Sequence, residues 1–147
     1  MAMADIANSA IEHGAERAVP LSEIADRQHL PIAYLEQLFA KLRDAELVQS
    51  VRGRSGGYRL ARDSGAIVIV DILEAVEEPT RMTRCMGSED PGCVGDKRCL
   101  THGLWSALGR HIHGFLAGVT LADVVADRMP GFVGMSGKVS VGVDAHD

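Results

Sequence analysis

The chain has 147 residues, 46% apolar and 24% charged, with a net charge of −5 at pH 7. That leaves room for one compact domain with an appendage, not two full domains, in a composition ordinary for soluble globular proteins. No stretch approaches the roughly 20 apolar residues that cross a bilayer, so no membrane partner is expected. Residues 1–10 carry Asp5 and lack both a basic leader and a long apolar run, so the expected location is the cytoplasm.

Met3, Ile6, Ala7, Ala10 and Ile11 recur at helical spacing and predict a helix over 1–13, broken by Gly14. Pro20 opens a short helix over 21–27, with Leu21, Ile24 and Ala25 facing inward. After a turn at His29-Leu30, Pro31 opens a third helix that runs to about residue 45. Its apolar stripe is Ile32, Leu35, Leu38, Phe39 and Leu42. Leu47–Val51 and Tyr58–Leu60 are β-prone runs joined by a Gly-rich connector, which predicts a hairpin. A third β-prone run at 66–68 precedes a helix over 70–76, and Glu77-Glu78 reads as its solvated end. The order is that of a winged helix-turn-helix, mostly α with a small β-wing, over residues 1–79.

Residues 80–98 are polar, lack periodicity and read as a loop. From about Cys99, Leu100, Leu104, Leu108, Ile112, Phe115 and Val119 form a long helical stripe with nothing of its own to pack on. A partner helix from a second copy would cover it, so a homodimer is expected. Thr120 is placed to cap a short helix over 121–128, which makes 99–129 the dimerisation unit. Residues 130–147 are expected to form a disordered tail.

Three cysteines, all between 85 and 99, suit metal or redox chemistry in a reducing compartment better than a disulfide framework. Seven residues separate Cys85 from Cys93, five separate Cys93 from Cys99, and two separate Cys99 from His102. If the helix begins near Cys99, that thiol and His102 lie on one helical face. Thiolates converging from a Gly/Pro loop suit an iron–sulfur cluster. Structural zinc and a thiol redox sensor stay open, although the close cysteine pair usual for zinc is absent. His111 and His113 have no thiol neighbours and read as surface or interface residues.

Residues 1–78 hold eight Lys/Arg against thirteen Asp/Glu, which opposes binding to phosphates. From Val51 to Arg62, however, there are four arginines and no acid. Screening limits the reach of charge to about 8–10 Å, so this local patch counts for more than the sum. The third helix offers Tyr34, Glu36, Gln37 and Lys41 for reading double-stranded DNA, and Gln and Glu can address adenine and cytosine edges. Arg52, Arg54 and Ser55 of the wing would meet phosphate or the minor groove. No catalytic constellation is present, and an enzyme is not expected.

Three stretches carry a family resemblance: Tyr34-Leu35-Glu36-Gln37-Leu38-Phe39, Val51-Arg52-Gly53 with Gly56-Gly57-Tyr58, and Arg98-Cys99-Leu100-Thr101-His102-Gly103-Leu104-Trp105. Over most of residues 1–128 the chain resembles the iron–sulfur-dependent Rrf2-type winged-helix regulators. The resemblance implies a 2Fe–2S cluster on Cys85, Cys93, Cys99 and His102, dimerisation through the following helix, and Glu36 and Arg52 as base or groove readers. The tract around His102 is similar to the branch that controls cluster assembly, as a repressor of assembly or iron-homeostasis genes. The seven-residue gap is similar to the iron-responsive branch, and nitric-oxide sensors are a third relative. Two departures stand out. Ala33 occupies a position where a hydroxyl is common, and the chain starts at Met1-Ala2-Met3-Ala4, where the family has a preceding basic segment. Weak DNA binding, or a start further upstream, is the expectation from the second.

Overall fold

A computed structural model of the chain describes residues 1–77 and 97–129. The elements are α1 (Ala2–His13), α2 (Leu21–Gln28), α3 (Ile32–Asp44), β1 (Val48–Val51), β2 (Gly57–Leu60), α4 (Ile69–Ala75), α5 (His102–Ala117) and α6 (Leu121–Val125). This is a mostly helical winged helix-turn-helix with a long following helix, as the periodicity predicts. Residues 80–96 of the expected 80–98 loop, with Cys85 and Cys93, and the tail over 130–147 lie outside the described residues.

Proline and left-handed residues punctuate the helix-turn-helix. Pro20 and Pro31 stand at the N-caps of α2 and α3 in extended conformation, where a missing amide hydrogen costs nothing. His29 ends α2 with φ of 52°, and its amide bonds to the Ala25 carbonyl. Leu35, Phe39 and Leu42 bury one face of α3 against Ile6 and Ala7 of α1, Ile24 of α2, and Leu47 and Val48 at the start of the wing. Asp5 of α1 accepts a hydrogen bond from Arg27 of α2 at 3.0 Å, closing the same layer from outside.

The wing is an antiparallel hairpin in which Val48 pairs with Leu60 and Val51 with Gly57. It is fastened twice. The Tyr58 ring lies 4.8 Å from Phe39, centroid to centroid, and Tyr58 exchanges two backbone hydrogen bonds with Val19 at 2.8 and 2.9 Å. That close pairing requires glycine at 57, where an added Cβ would stand 2.3 Å from the Val19 carbonyl oxygen.

Four expectations are corrected. The run at 66–68 is no strand: Ser64–Ala66 is a 3-10 turn, capped by the Asp63 carboxylate accepting from the Gly65 amide at 2.8 Å. Only Val68 pairs, in an isolated bridge to Thr120. The long helix starts at His102 rather than Cys99, leaving Leu100 before it and fully exposed. It ends at Ala117, and Val119 turns into the core with 2% exposure instead of continuing the stripe. The last helix stops at Val125, short of residue 128. Its entry matches expectation: Thr120 accepts from the Asp123 amide and Asp123 accepts from the Thr120 amide, a reciprocal capping box.

Gly57→Ala should lower stability by about 2 kcal/mol or more, well beyond the usual ±0.5 kcal/mol of surface changes, because backbone must move. Urea titration measures it; an unchanged midpoint would contradict the close Val19 approach. A second expectation concerns pH. Hydrogen bonds from the Thr120 side chain and amide hold Asp123 below its ordinary value. The folded state therefore binds this proton less readily than the unfolded state. The stabilisation is complete above the ordinary aspartate range and is lost as pH falls through the depressed value. Urea midpoints of the wild type and Asp123→Asn should differ at neutral pH and converge in acid.

Candidate nucleic-acid interface and metal centre

At about 100° per residue, α3 places Ala33, Gln37, Ala40 and Asp44 along the line opposite its buried face. Tyr34 and Lys41 fall on one flank, Glu36 and Arg43 on the other. Tyr34, Glu36, Gln37 and Lys41 are all exposed, Tyr34 at 43%. The four therefore do not form one cluster: Gln37 stands at the crest between small alanines, with Glu36 and Lys41 facing opposite sides of whatever the helix enters.

The wing's arginines divide sharply. Arg59 donates to Glu16 and, at 3.5 Å, to Gln49. Arg62 donates to the Glu46 carbonyl at 3.4 Å. Arg52, Arg54 and Ser55, at the hairpin tip, are exposed and make no ion pair or side-chain hydrogen bond among the described residues. Gly53, with φ of 116°, and the Gly56 amide bonded to its carbonyl at 3.0 Å shape this tip. Two guanidiniums without an ion pair among the described residues thus stand at the end of a hairpin locked to α3. The Arg59–Glu16 pair resolves part of the conflict between an acidic chain and a phosphate-binding surface: one acid neutralises an arginine away from the tip, while Arg62 is held there by a backbone carbonyl.

Lys41, expected to face DNA, is engaged within the chain. Its ammonium is ion-paired with the Glu77 carboxylate at 2.5 Å, and this contact holds Glu77 below the usual carboxylate range. The pair spans 36 residues, and nothing in local sequence pattern signals it.

Of the four expected metal ligands, Cys85 and Cys93 lie outside the described residues. Cys99 and His102 come together on one turn: the His102 amide donates to the Cys99 carbonyl at 3.0 Å, directly at the N-terminus of α5. Both are partly buried, and the Cys99 sulfur lies 3.6 Å from the Thr101 hydroxyl oxygen. Adjacency comes from a turn, not from a shared helical face. The positive end of a helix favours thiolate over thiol, so this end of α5 suits an anionic sulfur ligand. Among the described residues no three potential ligands converge.

A helix-turn-helix whose exposed helix is flanked by an arginine-tipped hairpin defines a winged-helix DNA-binding regulator. The chain belongs to the Rrf2 family, iron-dependent transcriptional regulators, whose pattern matches residues 1–127. It is 47% identical over 116 residues to the HTH-type transcriptional regulator IscR of Xenorhabdus nematophila, covering 79% of this chain and 70% of that protein. IscR of Sodalis glossinidius is 49% identical over 116 residues, covering 79% and 69%. Among solved structures, T. potens IscR superposes with a TM-score of 0.66 at 37% identity, covering 86% of this chain and 79% of that one. CymR, the global cysteine regulator of B. subtilis, gives a TM-score of 0.66 at 32% identity, covering 85% and 88%. These relatives are regulators of transcription, not enzymes.

Arg52→Ala should cost about 1–3 kcal/mol on a preferred operator and clearly less on random duplex if the guanidinium reads a base. Fluorescence anisotropy on both duplexes decides; equal losses would make Arg52 a phosphate contact only.

Proposed function

We propose that this chain is an IscR-like regulator whose DNA binding depends on a 2Fe–2S cluster held by Cys85, Cys93, Cys99 and His102. The observation that carries this reading is the Cys99–His102 turn at the head of α5, in a chain 47% identical to IscR. In this reading residues 1–79 bind DNA, 80–98 hold the cluster, 99–129 dimerise, and 130–147 form a tail. The protein acts in the cytoplasm as a repressor of cluster-assembly or iron-homeostasis genes.

The donor set fits. Three sulfurs and one imidazole are the ligand types of iron–sulfur centres, and a neutral histidine leaves the centre less negative than four thiolates. A cluster bound there supplies a centre whose presence depends on iron and sulfide. The chain's own residues do the rest. Cys99 and His102 fix the head of α5. Leu104, Leu108, Ile112 and Phe115 lie within one sector of that helix, and no residue of α5 is buried within one chain, which supports covering by a second copy. Gln37 and Glu36 address base edges, while Arg52, Arg54 and Ser55 meet the backbone or minor groove. A coupling between cluster and DNA of about 1–3 kcal/mol is the usual range for such linked sites. The seven-residue Cys85–Cys93 gap favours, as a second reading, an iron-responsive relative with the same ligands.

Anaerobic purification followed by iron and sulfide analysis tests the proposal. About two of each per chain are expected, with a brown colour lost in Cys99→Ala. Colourless protein holding zinc, or iron-loaded and iron-free protein binding DNA identically, would overturn it.

A further inference from the structure

Lys41 is the lysine of the reading helix, set on its exposed side one turn beyond Gln37. A cation there is suited to the phosphate beside the groove that the helix enters. In this structure a carboxylate already holds it. Glu77 reaches back from the end of α4, and its backbone sits at φ of 56°, a conformation that only a minority of non-glycine residues adopt. Both side chains are exposed, Lys41 at 43% and Glu77 at 77%, so the pair is open to exchange with an incoming anion. No other described acid is ion-paired with Lys41, and the neighbouring Glu74 turns instead toward His113 of α5.

We propose that Glu77 is an internal competitor for duplex phosphate at Lys41, so that DNA binding must first break the Lys41–Glu77 pair. The inference rests on the DNA-binding reading above and adds a regulated contact to it. Exchange conserves charge: the ammonium leaves a carboxylate oxygen for a phosphate oxygen, and the freed carboxylate is hydrated. The carboxylate thereby sets a threshold on affinity. Glu77 also stands eight residues before Cys85, so a backbone change at the end of α4 would reach the reading helix through this contact.

The full-length chain and three variants, Glu77→Gln, Lys41→Gln and the double substitution, are titrated with a short random-sequence duplex between about 50 and 200 mM salt. Glu74→Gln serves as a control for the change in net charge. An exposed ion pair is worth little, so Glu77→Gln is expected to tighten binding about twofold to fivefold at the lower salt. If Lys41 gains a phosphate, the slope of log affinity against log salt becomes steeper by up to about 0.9. Both gains should vanish in the double variant and be absent in Glu74→Gln. Equal affinity and slope for wild type and Glu77→Gln would overturn the competitor role alone, as would a gain that survives loss of Lys41 or appears equally in Glu74→Gln. Failure of every form to bind duplex would sink the DNA-binding reading and this inference together.

Discussion

A single residue of extended backbone ties the long helix to the winged domain. The Ile69 amide donates to the Val119 carbonyl at 2.9 Å, and the Leu121 amide donates to the Ile67 carbonyl at 2.8 Å. Val68 and Thr120 lie between them as a bridged pair. Ile67, Val119 and Leu121 are at most 2% exposed, so three aliphatic side chains are removed from water on either side of two hydrogen bonds. Burial of each such side chain is worth about 1.5–3 kcal/mol, more than either hydrogen bond contributes net. Val119, two residues beyond the tail end of α5, is consequently part of the core. The head of α5, with Cys99 and His102, stands about 24 Å away along the helix axis. A displacement of that head would tilt an element anchored to the winged domain at its other end.

The wing follows the same physical pattern at the opposite edge. One short backbone pairing, Val19 with Tyr58, is made possible by Gly57 and sealed by the tilted contact between Tyr58 and Phe39. Phe39 is fully buried and belongs to α3, so α3 and strand β2 of the hairpin share one anchor. The spacing between Gln37 and the Arg52–Arg54 pair is thus a property of the core. Rigid presentation matters because ordering a mobile wing would subtract from each contact made with DNA.

The helices and hairpin were legible in the sequence because apolar period and Pro/Gly punctuation agree there: Pro20, Pro31 and Gly57 each mark a boundary for a local reason. Three features were not. Val119 continues the stripe by spacing, yet the helix ends at Ala117 and the core claims Val119. The 66–68 run has β-prone residues but finds a partner at only one position, so it stays a bridge. The Lys41–Glu77 pair depends on where the end of α4 lands, which no local pattern encodes. For the site, exposure of Tyr34, Glu36, Gln37, Arg52, Arg54 and Ser55 followed from patterning, whereas their separation onto two flanks and a tip followed only from the backbone. Cys99 and His102 were read as neighbours, and they are, through a turn.

The central claim is that α5 and the winged domain form one mechanical unit through the Val119–Leu121 junction. Native-state hydrogen exchange at the Ile69 and Leu121 amides tests it most directly. These two amides should exchange only through global unfolding, at the same free energy as the Leu42 amide in α3. Exchange through a low-energy local opening, with α3 still protected, would mean that the long helix is hinged on the winged domain and the two are not one unit.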